Sequence, residues 1–372
     1  MMNMDKKLYN ERILKLQNYM KEKNIDVSLL MDRENLNYFA GVEQVECMTI
    51  VVPQKGEPVG VTLWLDVSFI KENCLVDDIR GYVMPKDSVG SKVVEIIKEM
   101  GYENPSIGFE RYFISYSFFN VLRNEFNTEK FEDLSTPIYM MRSIKEDYEL
   151  EHIRQASKAV VKGLEAVLDK VKPGVKEIDL AVEAEYAMMK AGSQGMPFRP
   201  QIVTGKKILS THPFSMNTEI KNNSILIINM GASVHGYVGK LCRTVILGDV
   251  DQETINIYNA IQDTQNLLLD NLKEGITCND LTNLALNNMD KYNYRSKYLY
   301  VIGYGVGLRQ SEFYPVISQG NPTVLKENMV VDFLMPTVYD KKFGGPRLTD
   351  TILVKKDGSE VLSKYPNDII RK

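Results

Sequence analysis

Val171-Lys-Pro-Gly174-Val175, followed by Asp179-Leu180, Ala184 and Met188, returns later in the chain as Leu272-Lys-Glu-Gly275-Ile276, Asp280-Leu281, Ala285 and Met289. The offset is constant at 101 residues (275 − 174, 280 − 179, 289 − 188). Each copy reads as a helix end closed near a glycine, then a turn whose Asp lies near the start of a second amphipathic helix. Three or more copies would predict a stacked array. Two copies predict one domain made of related halves, each contributing a pair of helices and its strands. A chance coincidence of short helical patterns is the alternative.

Upstream of the repeat the pattern changes to alternating helix and strand. Residues 11–23 carry Ile13, Leu14, Leu16 and Met20 at helical spacing, and 26–31 is strand-like. Residues 47–52 and 58–65 read as strands around Lys55-Gly56, and 91–100 as an amphipathic helix stopped by Gly101. This alternation predicts a small sheet covered by helices. A charge-rich helix begins near Met141, which places a domain boundary between Ser135 and Arg142, drawn here at 138/139.

The chain has 372 residues, enough for two domains with separate cores. Its 44% hydrophobic and 25% charged residues are those of an ordinary globular protein. A formal charge of −4 argues against nucleic acid or an anionic membrane as the main partner. Cys47, Cys74, Cys242 and Cys278 are far apart and show no CxxC spacing, so neither a zinc clip nor a disulfide framework is indicated. No apolar run approaches a membrane span and no leader pattern is seen, so the expected location is the cytoplasm. No phosphate-cradling glycine loop occurs.

Between and after the two repeat copies lie several further motifs. Ile225-Leu-Ile-Ile-Asn229-Met-Gly-Ala232 precedes Gly236-Tyr237 and Lys240-Leu-Cys-Arg-Thr244; Gly303-Tyr304-Gly305-Val-Gly-Leu308, Asn328-Met329 to Pro336 and Arg347-Leu-Thr-Asp350 follow. Together they resemble the signatures of the pita-bread superfamily, which includes methionine aminopeptidase, aminopeptidase P, prolidase and creatinase. The resemblance spans nearly the whole chain. It implies an α/β creatinase-type N-terminal domain, residues 1–138, and an α+β pita-bread domain with an internal pseudo-two-fold repeat, residues 139–372. In the metal-dependent members the matching positions hold carboxylates and a histidine. Here they hold Asn229, Lys240, Tyr304, Leu334 or Met335, and Thr349. An ammonium is no ligand and places positive charge where a cation would sit. The resemblance therefore implies a member without the metal pair and without another cofactor.

Three histidines are available for chemistry. His152, in a charged helical stretch, reads as a solvated surface residue, and His235, in the turn before Gly236, reads as a surface imidazole. His212 differs, because Ile202-Val-Thr-Gly205 followed by Thr211-His212-Pro213 resembles a family element whose histidine faces substrate. In creatinase that histidine is the acid/base of a metal-free reaction, which suits a group titrating near neutrality. An inherited remnant or structural hydrogen-bonder is the alternative for His212. Glu312 and Asp332 are the acids expected beside it. Asp332 interrupts the apolar run 329–335, so it needs a partner, a solvent-facing position, or protonation; a Lys240–Asp332 ion pair is one solution. Lys240, Arg309, Tyr304 and Asn229 are the expected substrate-binding residues, although Lys240 could instead plug a former metal cavity and Arg309 could lie on the surface. Arg243 reads as a structural anchor. Cys242 makes a weak nucleophile, since no histidine adjoins it.

Three functions follow, in this order. The first is a metal-independent, creatinase-like hydrolase of a C–N bond in a small carboxylated substrate or short peptide. The second is a non-catalytic pita-bread protein that binds a small molecule, peptide or protein. The third is an Xaa-Pro metallopeptidase. Cys242 and Leu334 or Met335 stand where creatinase has glutamates, which argues against creatine itself. The resemblance also implies a homodimer in which one subunit's N-terminal domain closes the other's cleft, with Glu43 and Glu46 as lid residues.

Overall fold

The computed structural model describes residues 4–43, 47–333, 338–342 and 344–372. The chain forms two compact units, Met1–Arg142 and Ser143–Lys372. The boundary drawn at 138/139 falls within the helix Ser135–Arg142 that ends the first unit.

The first unit alternates helix and strand as its sequence predicts. Its elements are α1 (Lys6–Lys23), β1 (Val27–Leu30), α2 (Arg33–Ala40), β2 (Thr49–Pro53), β3 (Val59–Leu63), α3 (Val67–Asn73), β4 (Asp78–Tyr82), α4 (Val89–Glu99), β5 (Ile107–Phe109), α5 (Tyr116–Phe126), β6 (Phe131–Asp133) and α6 (Ser135–Arg142). The strands form one mixed sheet in the order β4-β3-β2-β1-β5-β6. Helix α1 starts earlier than hydrophobic spacing indicates, because the Asp5 side chain accepts the Leu8 N–H at 2.8 Å and so caps it. Helix α4 begins at a reciprocal Ser88–Ser91 capping box. Strand β2 starts only at Thr49, since Cys47 is exposed with φ of 57°, and β3 ends at Leu63, where Trp64–Asp66 turns into a 3₁₀ helix. Val27, Leu29, Val51, Val61, Val93, Ile97 and Leu122 fill the core between sheet and helices.

The second unit contains α7 (Asp147–Lys170), α8 (Glu177–Lys190), β7 (Gln201–Thr204), β8 (Ser224–Val234), β9 (Tyr237–Leu247), α9 (Gln252–Asn271), α10 (Cys278–Lys291), β10 (Val301–Gly305), β11 (Glu312–Ser318), β12 (Val330–Asp332), β13 (Thr349–Lys355), β14 (Gly358–Val361) and β15 (Ile370–Arg371). The strands form a nine-stranded sheet along the path β11-β10-β12-β13-β9-β8-β7, with β14 added to β13 and β15 to β9. Strand β9 is buried along its whole length. Helix α7 lies directly on it at Gly239, where an added Cβ would sit 2.2 Å from the Ser157 backbone nitrogen. No side chain is tolerated at that crossing.

The repeat is visible in hydrogen bonds as well as in sequence. Gly174 N–H donates to Ile220 O at 2.8 Å, and Gly275 N–H to Leu325 O at 2.9 Å. Ile220 N–H returns to Val175 O, as Leu325 N–H returns to Ile276 O; Glu177 N–H reaches Thr218 O, as Cys278 N–H reaches Thr323 O. Gly174 and Gly275 have φ of 91° and 92°, a conformation that favours glycine. Ala184 and Met188 join the core beneath α7 and α8, and Ala285 and Met289 that beneath α9 and α10. The two copies are therefore the same device used twice, and chance coincidence is set aside. Among the described residues no helix is long and apolar enough to cross a membrane.

Candidate functional site

Strand β9 places Lys240 in the middle of the sheet, opposite Gly231 of β8. The Thr351 hydroxyl accepts the Lys240 N–H at 2.9 Å and donates to the Lys240 carbonyl at 2.9 Å. The side chain is almost wholly buried. Its ammonium forms an ion pair with Asp332 and donates to Gln310 O. Asp332 ends β12, opposite Tyr304 of β10 and Thr351 of β13, and accepts the Tyr304 N–H at 2.9 Å. Burial pushes the Asp332 carboxyl up, while the Lys240 ammonium and the Tyr304 N–H pull it down. The acid that interrupts an apolar strand thus has its partner, and the solvent-facing reading of Asp332 is corrected.

A second buried pair joins the segment before α7 to Glu312, the first residue of β11. Lys145 Nζ stands 3.6 Å from Glu312 Oε2, with both side chains only 1% exposed. The same ammonium donates to Ser143 O at 3.2 Å, and Glu312 Oε1 accepts the Leu308 N–H at 3.1 Å. Gly307 makes room for this arrangement, because a Cβ there would meet Glu312 Oε1 at 2.7 Å and Lys145 Cε at 3.1 Å. Lys145 was missed in the sequence, where it reads as one more charge at the start of a helix.

The other expected residues are more dispersed. Asn229 on β8 is half-buried and donates its amide to Gln201 Oε1 at 3.0 Å. Tyr304 is half-buried and meets Phe313 edge-on at 5.9 Å; burial and then Asp332 raise its phenol. Arg309 is half-buried. His212 is exposed, on the loop between β7 and β8, and its imidazole makes no hydrogen bond with the described residues. That loop is nevertheless tied at both ends. Buried Glu177 accepts Thr204 N–H at 2.9 Å and Met216 N–H at 3.0 Å and pairs with Lys207. Arg347 donates to Ile208 O at 2.9 Å and Ser210 O at 2.7 Å. No contact joins His212 to Glu312 or Asp332. Leu334, Met335 and Glu46 lie outside the described residues, and Glu43 is half-buried.

Arg243 is the anchor the sequence suggests. Fully buried, it pairs with Asp350 at 2.8 Å and donates to the carbonyls of Cys242, Thr349, Tyr365 and Pro366. Asp350 is further held by Ser363 at 2.8 Å and Gln265 at 2.9 Å. The buried Cys242 thiol is pushed up to about 12, which leaves it protonated and inert.

His152 is a correction. It lies on the buried stripe of α7 and is 3% exposed. Its ring packs against His235 at 4.5 Å and Tyr237 at 5.7 Å, and Tyr237 donates to Glu149 at 2.7 Å. His235 is half-buried in the β8–β9 turn with φ of 48°. Burial first, then His235, lowers the His152 imidazole from 6.5 to about 4. Between those values the unfolded chain takes up a proton that the folded chain refuses, so stability falls as pH drops through that window. Melting temperature should fall on acidification across it, and His152→Phe should fall less; parallel slopes in a thermal melt series would refute this.

The donor set can be tested against a divalent metal pair. An amide bonded to Gln201, a buried ammonium, a phenol and the Thr349 hydroxyl supply neither the negative charge nor the imidazole such ions need. Among the described residues, no group of three or more His, Cys, Asp and Glu side chains is gathered for a metal. The described residues do not fit the group.

The sequence pattern of metallopeptidase family M24 matches residues 151–356, and that of the creatinase/prolidase N-terminal domain matches residues 12–144. The chain therefore belongs to family M24, in its two-domain, creatinase/prolidase form within the pita-bread superfamily. Among its relatives is an Xaa-Pro dipeptidase of Pyrococcus horikoshii, 28% identical over 98% of this chain and 99% of that protein. An uncharacterized peptidase of Methanocaldococcus jannaschii is 30% identical over 96% of each chain. The crystal structure of the prolidase from Pyrococcus horikoshii superposes with a TM-score of 0.87 at 26% identity, covering 97% of this chain and 100% of that one. The sequence ranked an Xaa-Pro metallopeptidase last of three functions; two of these three comparisons are with proteins named for Xaa-Pro or prolidase activity.

Proposed function

We propose that this chain hydrolyses the C–N bond of a short peptide or peptide-like amide that carries a carboxylate, and that it does so without a bound metal pair. The substrate class is supported by the end-to-end correspondence with proteins named Xaa-Pro dipeptidase. Metal independence rests on one observation, the Lys240 ammonium buried against Asp332. Asp332 and Glu312 are each buried against a lysine, which supports a role for both in fixing the walls of the site. Proton transfer is then left to His212. Its imidazole takes a proton from water as the water oxygen attacks the carbonyl carbon, and returns that proton to the leaving nitrogen as the C–N bond breaks. Arg309 is suited to hold the substrate carboxylate.

A non-catalytic binding role is the second reading, favoured because no described side chain orients His212. The two are separated by a turnover screen in EDTA, using Xaa-Pro dipeptides and acyl-, carbamoyl- and amidino-amino acids from mildly acidic to mildly basic pH. Turnover supports the first reading; tight binding without turnover supports the second. Protein dialysed against Mn²⁺, Co²⁺ or Zn²⁺ is expected to retain no metal at this site and to melt as it does in EDTA. Elemental analysis finding a tightly held metal pair would overturn the metal-free assignment.

A further inference from the structure

The two buried ion pairs grip one stretch of backbone. Lys240 donates to Gln310 O and pairs with Asp332, which in turn accepts the Tyr304 N–H. Glu312 accepts the Leu308 N–H and faces Lys145. Residues 304–312 are thereby fastened to β9, to β12 and to the segment before α7. In each pair one ammonium faces one carboxylate, and all four side chains are at most 4% exposed. A divalent ion set beside Asp332 would meet the Lys240 ammonium already there, positive charge against positive charge in a water-poor interior.

We infer that Lys240 is an internal counter-cation, a covalently attached charge at a position where the metal-dependent members of the fold carry a metal ligand. Among the described residues there is no vacant metal site waiting to be loaded. The cation here is built in, and the segment 304–312 depends on it, as on the Lys145–Glu312 pair, for its position. Removing one ammonium leaves a lone buried carboxylate, which is the condition that creates a cation site. The inference rests on the proposed function in taking the metal pair to be absent, which wild type in Mn²⁺ tests for both. Turnover then tests the function alone, and melting of the Lys240 variants tests the inference alone.

The test compares thermal melting of the full chain as wild type, Lys240→Ala, Lys145→Ala, Lys240→Asp and the double variant Lys240→Met/Asp332→Leu, each in EDTA and in Mn²⁺. Each alanine variant should melt about 10 °C below wild type, the scale for breaking a buried pair in a unit of this size. Lys240→Asp sets two carboxylates together and should regain several degrees in Mn²⁺, while wild type moves by less than about 1 °C. The double variant, with no charge left to compensate, should recover most of what Lys240→Ala loses. If Lys240→Asp fails to fold, the double variant against Lys240→Ala decides. Lys240→Ala melting with wild type, a double variant as damaged as the single, or wild type gaining from Mn²⁺ as much as Lys240→Asp would each overturn the inference.

Discussion

His212→Ala should lower turnover of the amide substrate by about 10²- to 10⁴-fold, the usual loss when a general acid/base is removed. The imidazole is exposed and carries no hydrogen bond with the described residues, so the variant should melt with wild type. The backbone around it holds still for other reasons, since Glu177 and Arg347 tie the loop through bonds the substitution leaves alone. The loss should fall on kcat more than on KM, because a proton carrier acts in the transition state and contributes little to ground-state binding. His212→Gln, which keeps a polar side chain but cannot titrate near neutrality, should be almost as slow. Steady-state kinetics on the substrate found in the EDTA screen decide the matter. Turnover indifferent to both substitutions would eliminate the mechanism.

Arg243→Met should destabilise the second unit by about 3–5 kcal/mol, the cost of leaving a buried charge without its partner. Against a typical domain stability of about 5–15 kcal/mol, that is a large share. Four carbonyls and Asp350 lose their donor together. The loss should depend on pH in a definite direction. Burial already raises the Asp350 carboxyl, and Arg243 is the largest influence opposing that rise. Without Arg243 the folded carboxyl holds its proton to higher pH than the unfolded one, so the folded state binds more protons and stability falls as pH rises. The deficit in urea unfolding should therefore be wider at mildly basic than at acidic pH. Arg243→Met combined with Asp350→Asn should remove that slope. A pH-independent deficit would mean that Asp350 is not the group left stranded.

Much of this architecture is legible in the residues, for identifiable reasons. The repeat is legible because a glycine turn and an apolar helix face each require particular residue types at fixed spacing, and both copies kept them. The Lys240–Asp332 pair is legible in outline because an acid inside an apolar strand needs a partner and β9 supplies a lysine. Lys145 is not, since a lysine among the charges opening α7 looks solvated until the fold brings Glu312 to it. His152 was misread by composition, although periodicity was available: Glu149, His152, Ile153, Ala156 and Val160 all lie on the buried side of α7. The surroundings of His212 are the least legible. They depend on long-range ties from Glu177 and Arg347 that no local pattern announces.

Strand β9 has one more consequence, for the way the chain is made. One neighbour, β8, precedes it directly, but the others, β13 and β15, are synthesised roughly a hundred residues later or more. At about 5–20 residues per second that gap is on the order of 5–20 s. For that interval a strand that is buried along its whole length in the finished sheet faces outward on the ribosome as an unpaired edge, the kind of surface that recruits other strands. Helix α7, already made, can cover one face of it through the close crossing at Gly239. The open edge must wait for β13 and β15, so the yield of this protein in a cell depends on shielding of the nascent chain as well as on the stability of the finished fold.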